Sequence, residues 1–180
     1  MRVIAGRFKG RALRSPTWAG LRPTSDRTRE TLFAILAPWL EGGRLLDVCA
    51  GTGAVGIEAL SRGARHVTFV ERDRRAIRLM TRNLATCGID DGYTMVHAPA
   101  LEALGDVAGA FDIVFVDPPY EAADIELLVE AAAACVAEGG RLVVEHSRRR
   151  PVCASAGHLV RVREVRCGDT MLTFYAAERP

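Results

Sequence analysis

No window of this chain approaches the ~18 consecutive apolar residues that a membrane-spanning helix needs. The N-terminal stretch MRVIAGRFKGRAL is basic, but no apolar run follows it, which argues against a secretory signal. Cysteines are few and scattered: Cys49, Cys87, Cys135, Cys153 and Cys167 form no C-x-x-C pair and have no histidine at ligand spacing. An odd, unpatterned set of this kind excludes a disulfide framework and a zinc site, and predicts buried neutral thiols in a reduced, cytoplasmic chain without a metal. Internal repeats and low-complexity segments are also missing. At 180 residues there is room for one domain with a small appendage. Lysine is nearly absent, with Lys9 alone among 24 basic residues, and nothing is drawn from that bias.

What is present is an uneven charge. The net charge is only +2, yet residues 1–29 carry eight basic side chains against Asp26 alone, giving +7 there and −5 on the remainder. A basic arm on a mildly acidic body is the electrostatic footprint of a polyanion-binding element. Arg7, Lys9, Arg11, Arg14, Arg22 and Arg27 are its candidate polyanion contacts.

Residues 1–24 alternate short β-type pieces with Gly and Pro breaks, predicting a hairpin-like arm ahead of a main domain over 25–180. Ser25 or Thr24 can cap a helix through DRTRETLFAIL, with Leu32, Phe33, Ile35 and Leu36 on its apolar face. From Arg44 onward strand, loop and helix repeat. Strands are expected at 45–48, 67–70, 93–96, 113–116 and 142–144, and helices at 55–61, 74–86, 101–104 and 125–137. That alternation predicts a doubly wound, Rossmann-like α/β sheet. Two further strands, 159–165 and 171–176, follow with only Gly168-Asp169 between them. They form a hairpin that makes the last strand antiparallel in a mostly parallel, seven-stranded sheet.

Residues 45–60, LLDVCAGTGAVGIEAL, contain Gly51, Gly53 and Gly56 in the G-x-G-x-x-G spacing of a dinucleotide-binding turn. Glycines here turn the chain tightly and let backbone approach a ligand at a helix N-terminus, whichever cofactor is bound. Glu71 in VTFVERD lies 20 residues beyond Gly51, suited to ribose hydroxyls of either cofactor. Asp47 separates the readings. A carboxylate at the strand end suits the amino group and sulfonium of S-adenosylmethionine, whereas it would repel a pyrophosphate. The chain also lacks space for the separate substrate domain of a dehydrogenase.

A second signal follows the fourth strand: FDIVFVDPPY, with Asp117, Pro118, Pro119 and Tyr120. Ligands of open α/β sheets bind beyond the strands' carboxyl ends, so this segment is expected beside the glycine loop. The prolines rigidify the loop and leave the Pro118 carbonyl free to accept. A carboxylate and a fixed carbonyl can take both protons of an exocyclic amine, pyramidalise its nitrogen and aim its lone pair. Tyr120 offers a stacking face for a base taken out of its helix.

Together LLDVCAGTGAVGIEAL, FVERD and DPPY resemble the class I S-adenosylmethionine-dependent methyltransferases of exocyclic amines. The segment RVIAGRFKGRAL…LRPTSDRTRETLFAIL narrows the resemblance to the RsmD family, bacterial methyltransferases that make N2-methylguanine in 16S ribosomal RNA. The likeness covers nearly the whole chain, and Arg22 to Glu30 carries most of its specificity. It implies a seven-stranded methyltransferase sheet with a small N-terminal β appendage. The implied partner is 16S rRNA in the assembled or assembling small ribosomal subunit, approached by a monomer. By the same resemblance Asp47, Gly51 and Gly53 contact the methionine part of the cofactor, Glu71 its ribose, and Asp117 to Tyr120 the guanine. Thr24, Asp26, Arg27 and Arg29 are expected over the cofactor pocket or at its mouth. VHAPALEAL lacks the acid that many relatives use for adenine, leaving backbone around Ala98 to Ala100 as the substitute.

Three other readings stay open on the residues alone: an adenine-N6 methyltransferase, since D-P-P-Y serves adenine too; a non-catalytic ribosome-assembly or nucleic-acid module; and an NAD oxidoreductase. His146 is expected as a solvated strand-end side chain, and Arg148–Arg150 as a second basic run that either grips phosphates or faces water.

Overall fold

The computed structural model describes residues 1–21, 23–107, 110–118 and 125–178. Helix α1 (Asp26–Leu36) begins where the Ser25 hydroxyl accepts from the Thr28 amide at 3.1 Å. Satisfying an otherwise orphaned amide in this way fixes the helix start. A short 3-10 turn at Ala37–Trp39 leads into β1 (Arg44–Val48), α2 (Ala54–Ser61), β2 (His66–Glu71), α3 (Arg74–Thr86) and β3 (Tyr93–His97). Then come α4 (Ala100–Asp106), β4 (Phe111–Val116), α5 (Ile125–Ala133), β5 (Val136–Ser147), β6 (Ser155–Ala156), β7 (Leu159–Cys167) and β8 (Thr170–Ala177).

Among the described residues the strands form one sheet of eight in the order β3-β2-β1-β4-β5-β8-β7-β6. The first five run parallel, and β8 enters antiparallel between β5 and β7. The expected antiparallel closing hairpin is therefore present, with the two-residue β6 as a strand beyond the seven expected. The fifth helix ends at Ala133, not 137, because Val136 already pairs with Phe111. A register shift then absorbs Glu138-Gly139-Gly140 before Arg141 pairs with Ile113, and the Trp39 indole donates to the Gly139 carbonyl at 2.8 Å.

Parallel strands covered on both faces should be almost continuously apolar. RLLDV and FDIVFV read that way, and each face carries its own core. Leu45, Phe69, Ile113 and Phe115 pack with α1, α2, α3 and the arm. Leu46, Val70, Val114 and Val144 pack with α4 and α5. The arm closes as a minimal hairpin on one bridge, Arg2 with Ala12, and sends Val3, Phe8 and Leu13 into the first core.

Arm, entry helix and α2 meet at a single carboxylate. Glu58, fully buried on α2, accepts from the amides of Ile4 and Ala5 at 2.8 and 2.9 Å, from Arg29 at 3.2 Å and from Arg62 at 2.7 Å. Arg29, also fully buried, donates in addition to Asp26 at 2.7 Å and to the Arg2 carbonyl at 2.8 Å.

Candidate active site

The strand order reverses between β1 and β4, and a cleft of about 1190 Å³ opens at the carboxyl ends there. A typical small-molecule pocket holds roughly 300–1,000 Å³, so this one has room for a nucleoside-sized cofactor and a second group.

The floor is built by the glycine loop. Gly51 and Gly53 both have positive φ, +54° and +75°, which a side chain would make costly. Gly53 also caps α2, and a Cβ there would meet Met80 at 2.5 Å. Gly56 serves differently: it lies inside α2, and a Cβ would approach the Phe69 ring at 2.2 Å. Its place is helix-to-sheet packing, while its amide donates to Asp47 at 3.0 Å. Asn83 of α3, buried, donates to the Thr52 carbonyl at 3.0 Å and the Arg14 carbonyl at 3.2 Å, and accepts from the Arg14 amide at 2.8 Å. One amide side chain thus ties the arm to the loop.

Glu71 ends β2 and accepts from the Gly51 and Asp73 amides, each at 2.8 Å. Asp47 is nearly inaccessible, and burial, assisted by the nearby Glu71 charge, pushes it up to about 7 against the Gly56 amide. Asp117 follows β4 and is half-buried at the cleft. Burial first, then the charges of Glu145 and Asp47, hold it well above the usual carboxylate range, opposed by the Thr24 hydroxyl, which donates at 3.4 Å. Its own burial and the same negative field push the Cys49 thiol up to about 12.

Asp47, Glu71, Asp117 and Glu145 all line this cleft. Four carboxylates around one cavity make it a cation-seeking site that disfavours a pyrophosphate. The amino group and sulfonium of S-adenosylmethionine fit that set of acceptors.

The cleft brings together Asp47, Gly51, Glu71, Ala98, Ala100, Thr24, Asp117 and Pro118. Pro119, Tyr120 and Arg22 lie outside the described residues. Arg29 corrects the expectation that it reaches the cofactor pocket: it turns away from the cleft to Glu58, because a buried guanidinium must pair with a carboxylate. Arg7, Lys9, Arg11, Arg14 and Arg27 are all exposed, with Arg7 and Arg11 over the Phe8 ring at 4.4 and 5.1 Å. His146 is likewise corrected. It is buried, with Nε2 against the Thr173 hydroxyl at 2.8 Å and Nδ1 against the Arg150 carbonyl at 3.0 Å. Of the cysteines only Cys87 and Cys135 are buried.

Sequence reading missed Glu145, Asn83 and Glu58. Glu145 alone left a signal, an acid directly after the apolar run of β5 in VVEH, the position Asp117 holds after β4.

Known proteins match along the whole length. The family model described as "Conserved hypothetical protein 95" matches residues 1–176. Bacillus subtilis YlbH is 36% identical over 185 residues, covering 97% of this chain and 98% of that protein. Ribosomal RNA small subunit methyltransferase D of Escherichia coli K12 is 44% identical over 120 residues, 67% of this chain and 60% of that protein. The solved structure of yhhF from Escherichia coli superposes with a TM-score of 0.86 at 34% identity, covering 99% and 98% of the two chains. On this match over nearly its full length, the chain belongs to the RsmD family of S-adenosylmethionine-dependent methyltransferases.

Proposed function

We propose that the protein transfers a methyl group to the exocyclic N2 of a guanine in 16S rRNA of the small ribosomal subunit. The observation that carries this reading is the placement of Asp117 and Pro118 in the same acidic cleft as Asp47 and Glu71. When bound, S-adenosylmethionine supplies an electrophilic methyl on a cationic sulfur. Asp47 and the Gly51–Gly53 backbone would hold its amino-acid end, Glu71 would take its ribose, and Ala98–Ala100 would line its adenine.

The protein's remaining task is to make a poor nucleophile attack. An amine conjugated to a purine ring has its lone pair delocalised. The Asp117 carboxylate and the Pro118 carbonyl accept its two N–H bonds, fix its direction and favour a pyramidal nitrogen. As the nitrogen becomes alkylated it must lose a proton. Asp117, made more basic by burial and by Glu145, is the acceptor in reach. Tyr120 supplies the stacking face.

The exposed basic arm gives sequence-independent attraction to phosphates, and the folded RNA surface decides which base is presented. The protein works as a monomer in the cytoplasm, docking on the assembled or assembling subunit. Support for rRNA comes from relatives such as ribosomal RNA small subunit methyltransferase D.

The deciding experiment incubates the protein and labelled cofactor with small subunits and with naked 16S rRNA, then identifies the modified nucleoside by mass spectrometry. N2-methylguanine is expected. N6-methyladenine would overturn the base assignment and favour the reading that D-P-P-Y shares with adenine enzymes.

A further inference from the structure

We infer that the C-terminal β7–β8 hairpin and the adjoining Arg148–Arg150 segment form a second RNA-docking surface, which grips phosphates next to the base being methylated. The inference rests on the RNA-methylating function proposed above, but its observations lie at the opposite end of the chain from the basic arm.

The first observation is charge. Residues 146–170 carry Arg148, Arg149, Arg150, Arg161, Arg163 and Arg166 against only Glu164 and Asp169. All six arginines are exposed.

The second is position. The hairpin turn, Cys167 to Thr170, is part of the wall of the cleft that contains Asp117. The Arg148 amide donates to the Asp169 carbonyl at 3.2 Å, so the arginine segment is fastened to that turn. A phosphate held there sits at the cleft's rim, where the strand bearing an extruded base must pass.

The third is rigidity. Arg166 registers against Met171, which registers against His146, so the three share one face of the sheet. On that face His146 bonds the Arg150 carbonyl and the Thr173 hydroxyl, Thr173 donates to Glu164 at 3.3 Å, and Glu164 pairs with Arg161 at 3.3 Å. A buried histidine therefore locks the arginine segment to β7. Ordering side-chain carriers in advance lowers the entropy cost of binding.

Edge protection is the plainer explanation for charge on β7. Beyond Arg161 the strand pairs only with β8 among the described residues, and open edges are commonly guarded by charge. That accounts for Arg163 or Arg166. It does not account for three consecutive arginines off the edge, the first of which is bonded through its amide to the turn of the cleft wall.

The test combines Arg148→Ala and Arg149→Ala in one variant, both exposed side chains outside the cleft. Circular dichroism and calorimetry with S-adenosylmethionine should match the parent, showing that fold and cofactor site are intact. Affinity for naked 16S rRNA and for small subunits should both fall. The slope of log affinity against log salt should flatten by roughly 1.4 to 1.8, at about 0.7–0.9 for each phosphate no longer neutralised. KM for RNA should rise while kcat at saturation is kept. Unchanged affinity and salt slope would overturn the inference. So would a loss confined to assembled subunits, which would mean that the arginines meet a ribosomal protein. If the parent transfers no methyl to RNA yet the variant still loses RNA affinity with a flatter slope, the proposed function fails and the docking surface stands.

Discussion

The Thr24 hydroxyl donates to the Asp117 carboxylate at 3.4 Å, joining the segment before α1 to the end of β4. Among the described residues it is the hydrogen bond that favours the charged form of Asp117 against burial, Glu145 and Asp47. Replacing it by Thr24→Val removes that donor and lets the Asp117 pKa climb further. Methyl transfer that uses ionised Asp117 then needs a higher pH. The acid limb of kcat/KM against pH should move upward in the variant, and a superimposable profile would mean that Asp117 does not titrate in catalysis.

On the proposed function, Asp117→Ala removes an acceptor for the amine and the destination of its proton. Transfer should fall by ~10²-fold or more, the scale of losing one preorganised electrostatic group. Calorimetric affinity for S-adenosylmethionine should stay within a few-fold of the parent. Full activity in this variant would remove Asp117 from the reaction.

Asp47 gives a pH dependence with two opposite signs. Its folded value of about 7 lies above the ordinary 3.8, so between those values the folded state holds a proton that the unfolded chain has released. This group's contribution to stability is complete below pH ~4, declines as pH rises through about 7, and is flat above. Cofactor affinity runs the other way, since the cation is attracted only by the ionised carboxylate, and should tighten as pH rises through 7. Asp47→Asn should flatten both trends in denaturation and calorimetry.

Arg29→Met leaves the Glu58 carboxylate buried without one of its two cationic partners. Breaking a buried pair from one side costs about 3–5 kcal/mol. Chemical denaturation should show a loss of that order, and limited proteolysis should reach the arm sooner. Arg62 remains at 2.7 Å and moderates the effect. Loss of cofactor affinity with stability intact would restore Arg29 to the cofactor site.

Gly56→Ala tests whether the third glycine packs or binds. The added methyl collides with Phe69, and overpacking of this kind costs about 1–3 kcal/mol. The midpoint of thermal unfolding should drop, and pairing the change with Phe69→Leu should restore part of it. If stability is unchanged while cofactor affinity collapses, Gly56 belongs to the binding loop.

The alternation of strand and helix was legible because each parallel strand must be apolar on both faces and each helix on one. Asp47, Glu71 and Asp117 were legible for a related reason: an acid that terminates an apolar strand stands at the ligand-binding rim. The start of β5 was not legible. Ala-Glu-Gly-Gly reads as a loop, but Val136 before it pairs with Phe111, and the Trp39 indole holds the Gly139 carbonyl within it. Arg29 was misread for lack of its partner. Its role depends on Glu58, a residue 29 positions away whose burial no local pattern announces. His146 failed in the same way, since the hydroxyl and carbonyl that bury it belong to β8 and to the turn after β5.

The convergence on Glu58 has a mechanical meaning. Its carboxylate binds two backbone amides of the arm and the guanidinium of α1, and it sits on the helix that Gly53 of the glycine loop caps. The arm therefore has no hinge of its own at that point. A force applied to the arm reaches the floor of the cleft through a short chain of hydrogen bonds. Arm and cleft share one chassis, so a displacement of the arm is a displacement of the cleft floor.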